Sequence, residues 1–118
     1  MDFNLIEHAS EALNSVEAAG IPVQQGWYDE DIKQTHVTLW ELDDSDIHSN
    51  DAPELTTYLL QVTIFSQKDE TALKKRIKRL MREAGYTFMA SAGSVDTRLK
   101  VHMKAMRFHI TVEAIEEE

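Results

Sequence analysis

The chain has 118 residues, 21 acidic against 12 basic, and a formal net charge of -9. That length fits one domain able to bury roughly two-thirds of the surface of its unfolded chain. Six of the twelve cations crowd into nine positions (Lys74, Lys75, Arg76, Lys78, Arg79, Arg82), whereas residues 41–54 carry six acids and no Lys or Arg. The overall balance opposes general binding to duplex DNA, where neutralised phosphates dominate affinity. With no cysteine there is neither a disulfide framework nor a thiolate metal site. The first residues lack the basic and apolar regions of a signal peptide, and no stretch approaches the ~20 apolar residues of a membrane span. The expectation is a single domain over residues 1–118, made in the cytoplasm, with no membrane contact.

Asn4 is placed to cap a first helix, with Glu7 three residues on to complete a capping box. Leu5, Ile6, Ala9, Ala12, Leu13 and Val16 recur at helical spacing, and Gly20 and Pro22 end the run. Residues 23–27 read as a short strand, 28–34 as a polar turn, and 35–42 as a strand rich in β-branched and aromatic residues. Residues 43–54 offer almost nothing to bury and predict a long, mobile acidic loop. From residue 55 to 66 both faces turn apolar around Tyr58, Leu59, Leu60, Val62, Ile64 and Phe65, as in a central strand covered on two sides.

Residues 69–84 carry the plainest helical pattern. Leu73, Ile77, Leu80, Met81 and Ala84 form one stripe and Lys75, Lys78, Arg79 and Arg82 the opposite one, with Asp69 as the expected N-cap and Gly85 as the stop. Residues 86–90 read as a fourth strand and Ser91-Ala92-Gly93-Ser94 as a turn. The last strand, residues 100–112, points Met106, Phe108, Ile110 and Val112 inward and Arg107, His109 and Thr111 outward. Residues 115–118 read as a short acidic tail. The expected fold is α+β: a single mixed or antiparallel sheet of four to five strands with two helices packed on it.

Little in the sequence points to catalysis or to a cofactor. The five histidines show no usual ligand spacing, and His102 and His109, an odd number apart on one strand, point to opposite faces. Asp44-Ser45-Asp46 and Asp29-Glu30-Asp31 are clustered carboxylates with no accompanying phosphate-binding sequence, and read as solvated acids rather than a Mg²⁺ site. Gly93-Ser94 belongs to neither a nucleophile elbow nor a P-loop. Basic residues do not interleave with the aromatics Trp27, Tyr28, Trp40, Tyr58, Phe65 and Phe108, so these read as core or subunit-interface residues, not as a stacking platform for single strands. No catalytic, metal or cofactor residue is predicted.

Three strings carry a resemblance. Trp27-Tyr28-Asp29-Glu30-Asp31 leads into His36-Val37-Thr38-Leu39-Trp40-Glu41. Thr57-Tyr58-Leu59-Leu60-Gln61-Val62-Thr63-Ile64-Phe65-Ser66 leads into the basic helix, and Lys104-Ala105-Met106-Arg107-Phe108 follows. In order and spacing, over residues 21–112, the chain resembles the tail-completion (tail terminator, or neck) proteins of long-tailed bacteriophages. The resemblance implies a sheet with two helices and a non-enzymatic virion protein of a phage or prophage. Such a protein forms a ring, usually hexameric, that caps the tail tube, stops its polymerisation and offers the surface for head-tail joining. Its implied partners are copies of itself, the tail tube protein and a head-completion or connector protein, with DNA only in transit through the channel. The implied location is the tail end or neck of the virion, after assembly in the host cytoplasm. Trp40 and Glu41, Tyr58 and Leu60, and the string from Lys104 to Phe108 map onto framework and interface positions, Met106 and Phe108 among the framework. Asp43, Asp44, Asp46, Asp51 and Glu54 are expected at the channel, and Lys75, Lys78, Arg79 and Arg82 at a neighbouring subunit or the outside. The rival expectation is a nucleic-acid-binding or regulatory α+β domain using the basic helix over residues 74–82.

Overall fold

A computed structural model describes residues 3–32, 34–42, 55–98 and 100–113. The acidic loop 43–54, the tail 115–118 and every expectation attached to them lie outside the described residues. One mixed sheet of five strands carries three helices, an α+β fold.

The first helix, α1 (Leu5–Ala12), starts as the sequence predicts: Asn4 is extended and its Oδ1 accepts from the Glu7 amide at 2.9 Å. The predicted single helix is instead two. It breaks at Leu13 (φ -102, ψ 19) and resumes as α2 (Asn14–Ala18). The amide of Val16 bonds the Leu13 carbonyl at 3.0 Å, a tight i→i+3 turn that keeps both fully buried side chains on the core. Asn14 and Ser15, weak helix formers, resist it little. At Gly20 (φ 98) the chain leaves the helix, with the Ile21 amide reaching back to the Val16 carbonyl.

Strand β1 (Val23–Gln25) runs parallel to β2 (His36–Leu42), with Val23 opposite Val37. Strand β3 (Leu55–Ser66) lies at the centre as expected, followed by α3 (Thr71–Glu83), β4 (Thr87–Asp96) and β5 (Val101–Glu113). The strand order is β1-β2-β3-β5-β4, and every pairing except β1 with β2 is antiparallel.

Two predicted details are corrected. Ser91-Ala92-Gly93-Ser94 is not a turn, because β4 runs through it in continuous register with β5, Ser91 opposite Met106 and Ser94 opposite Met103. The turn signal was compositional, and a ladder with a long partner strand overrides it. Asp69 is not the cap of α3. Glu70 occupies that position with its side chain turned to Thr35 and Ser66 instead of capping the helix, while Asp69 accepts from Thr71 Oγ1 at 3.0 Å and pairs with Lys104 Nζ at 3.0 Å.

All three helices cover one face of the sheet. Val37, Leu39, Leu60, Val62, Ile64, Met106 and Phe108 meet Leu5, Ala9, Leu13 and Val16 from the first two helices and Leu73, Ile77 and Met81 from α3. The inward and outward alternation predicted for β5 holds, with Met106, Phe108 and Ile110 buried and Arg107 exposed. The other face carries rows read across the strands: Trp40-Gln61-Arg107-Ala90 and Thr38-Thr63-Ala105-Ala92. There the segment after Gly26 folds back, so that Tyr28 stacks on His36 and His36 on Phe65 with centroids 5.6 and 5.4 Å apart.

Candidate functional site

The strings that suggested a family are neighbours in space. Glu41 pairs with Leu60, Leu60 with Phe108, and Phe108 with Phe88, one row across β2, β3, β5 and β4. Leu60, Met106 and Phe108 are fully buried, and Tyr58 packs against their cluster from the end of β3. Those four are framework. Trp40 differs, since it points away from the helices and remains 48% exposed. A half-exposed tryptophan on a strand contributes little to its own core and offers apolar surface to another molecule.

Helix α3 sets out its cations by its own periodicity. Lys75, Arg79 and Arg82 lie on the solvent side, and Lys78 turns towards β4, where its Nζ sits 3.9 Å from the centre of the Phe88 ring. Lys74 Nζ donates to Ser91 Oγ at 2.9 Å, and Arg76 reaches Ser15 on α2 at 3.2 Å. The helix is thus pinned by Lys74, Arg76 and Lys78 while Lys75, Arg79 and Arg82 face outward. Lys104, hydrogen-bonded to Asp69, holds that carboxyl below the usual carboxylate range, with Thr71 adding to the effect.

The opposite flank is acidic. Glu7, Glu11 and Glu17 are exposed on the first two helices, and Glu41 is exposed on β2 beside Glu7. Asp29, Glu30 and Asp31 follow β1, the Asp31 amide closing a turn on Asp29 Oδ1 at 2.9 Å. Among the described residues no group of three or more His, Asp or Glu side chains is arranged to hold a metal ion. An apolar cleft of about 390 Å³ lies between Trp27, Phe65 and Met103 on one side and Val95 at the end of β4 on the other. No described helix is long and apolar enough to cross a membrane.

The sequence pattern placed Lys75, Arg79 and Arg82 outward and Leu60, Met106 and Phe108 in the core. It also set Lys78 outward, where the structure turns it to Phe88, and Trp40 in the framework, and it missed the long open edge of β4 and the separation of charge across the sheet. The second was countable: eleven of the twelve Lys and Arg residues fall between Lys68 and Arg107. Asp43, Asp44, Asp46, Asp51 and Glu54, expected at a channel, lie outside the described residues. Comparison with known protein families and with curated proteins finds no match.

Proposed function

We propose that this chain is a structural, non-enzymatic virion protein of a long-tailed phage or prophage: it caps the tail tube, stops its polymerisation and forms the surface joining tail to head connector. The observation that carries this reading is the row of Glu41, Leu60 and Phe108, which brings the three resembling strings side by side on adjacent strands. A sheet with helices on one face only, and half-exposed Trp27 and Trp40, supports assembly over solitary action. In this reading copies of the chain form a ring, usually of six, at the virion neck. The tail tube protein lies on one side, the head-completion or connector protein on the other, and DNA passes in transit.

The reading is tested by deleting the gene from its phage and imaging lysates by negative-stain electron microscopy. Filled heads and separate tails, some overlong, are expected, because an uncapped tube keeps its polymerising end. Normal virions overturn the assignment.

The outward Lys75, Arg79 and Arg82 favour one rival, a nucleic-acid-binding or regulatory domain that uses α3. Salt-sensitive retention of duplex DNA by the dilute protein, with no ring at high concentration, selects that rival.

A further inference from the structure

Charge and sheet topology divide this molecule along the same line. The first 42 residues, which build both N-terminal helices, β1 and β2, hold eight acids and a single cation, Lys33. Residues 68–107, which build α3, β4 and the first half of β5, hold eleven cations and four acids. Since β1 and β4 are the two edges of the sheet, one edge is flanked by acid and the other by base.

The β4 edge is also unusually open. Its ten residues are exposed except for Phe88, and residues 89–95 (Met-Ala-Ser-Ala-Gly-Ser-Val) contain no charge and no proline. Edge strands of that length are normally blunted by lysine, proline or a bulge, because their free N–H and C=O groups template pairing with another strand. The single irregularity, at Met89, sits near the start and leaves residues 90–96 in regular register.

We propose that residues 90–96 of β4 pair with the β1–β2 edge of a second copy of this chain, extending the sheet head to tail. The cations of α3 then face the acids around Glu17 and Glu41. This deepens the ring reading above and rests on it. The charge pattern decides between the two ways a copy could dock. Antiparallel twofold pairing of β4 with β4 places two α3 helices on the same face, with Lys74, Lys75 and Lys78 of each beside their own kind. At 0.15 M salt the screening length is about 8 Å, so charges meeting across one strand joint still repel. Head-to-tail pairing sets opposite charges together, and it leaves the joined pair with one free edge of each kind, the condition for a ring that closes by rotation. The ladder that β1 offers is short, three residues, so the charge complementarity carries most of the contact.

The absence of cysteine makes the test clean. Ser94 and Gln25 are exposed on the two edges, so Ser94→Cys, Gln25→Cys and the double variant are treated with a short bis-maleimide and separated by denaturing electrophoresis. The double variant is expected to give a ladder of trimers and larger species, and each single variant none above background. Adding Lys75→Glu and Arg79→Glu, both at exposed positions, is expected to cut the ladder about tenfold, as is raising salt to 0.5 M. Dimers from Ser94→Cys alone overturn the proposal in favour of the twofold arrangement. A ring seen by native mass spectrometry with no ladder overturns this pairing while the ring stands. Monomer at every concentration, and no ring on isolated tail tubes, overturns both.

Discussion

The Tyr86 hydroxyl lies 2.9 Å from His8 Nδ1 and ties the turn after α3 to the middle of α1. Their rings pack with centroids 5.5 Å apart, and Tyr86 is 2% exposed. Burial pushes its hydroxyl far above the ordinary tyrosine range, because a phenolate there would lack water. A folded-state value raised above the unfolded value of about 10 leaves stability intact below that pH and removes it as pH climbs further. Tyr86→Phe is expected to lose about 1 kcal/mol at neutral pH, from the bond to His8, and to show a shallower alkaline decline. Urea titrations at neutral and alkaline pH check both. Equal stability at neutral pH with an unchanged alkaline slope would remove Tyr86 from this role.

Phe108 stands where the β5 row crosses the helices. It is fully buried, edge-on to Phe88 at 5.7 Å and to Tyr86 at 6.3 Å. Truncating a buried phenylalanine removes its transfer energy and leaves a cavity, together about 3–5 kcal/mol. Against a total of about 5–15 kcal/mol for an ordinary domain, Phe108→Ala should leave a large unfolded fraction at 37 °C. Trp40→Ala, at a half-exposed site of the same sheet, should shift stability far less and association more. Thermal melts with sedimentation at two concentrations compare them, and equal melting losses would contradict the division into framework and surface.

The periodic segments were legible in the sequence for a physical reason: Leu73, Ile77 and Met81 and the alternation through Met106, Phe108 and Ile110 each report one buried face. The failures fell where local chemistry competes with tertiary pairing. Gly93 and its small neighbours read as a turn, yet β5 supplies a strand long enough to hold them in register. Leu13 reads as helix interior, yet packing both it and Val16 demands a tighter turn. The charge division between sheet edges needs the strand order, in which residue 23 and residue 87 begin opposite edges, and no local pattern carries that.

Two backbone positions make opposite predictions. Gly85 has φ 104, and a Cβ there would meet Ile110 Cδ1 at an ordinary 3.6 Å, so the obstacle to a side chain is the left-handed backbone and not space. Gly85→Ala should lose about 1 kcal/mol, strain partly offset by a stiffer unfolded chain. Lys100 already occupies φ 58 in the turn between β4 and β5. Lys100→Gly should therefore gain about 0.5 kcal/mol, the relief of strain less the added unfolded-state freedom. Denaturant midpoints measured side by side should move in opposite directions, and movement the same way would contradict the backbone account.

Thr38 and Thr63 face each other across β2 and β3 on the sheet face away from the helices, and both are essentially inaccessible to solvent. Their hydroxyls differ. Thr63 Oγ1 accepts from Gln61 Nε2 at 3.1 Å, and Gln61 Oε1 in turn accepts from Arg107 Nε at 3.2 Å, whereas Thr38 Oγ1 meets no partner among the described residues. A buried hydroxyl without a bond carries its full desolvation penalty, about 1–3 kcal/mol, while a bonded one returns a net of about 1 kcal/mol. Valine has the same shape as threonine with a methyl in place of the hydroxyl. Thr38→Val is therefore expected to raise stability by about 1 kcal/mol, and Thr63→Val to lower it by a similar amount because Gln61 then loses its acceptor. Urea unfolding of the two single variants and the double reads the signs directly. The positions are adjacent, so the double need not equal the sum. If Thr38→Val destabilises as Thr63→Val does, the Thr38 hydroxyl has a partner in solution and its orphan status is wrong.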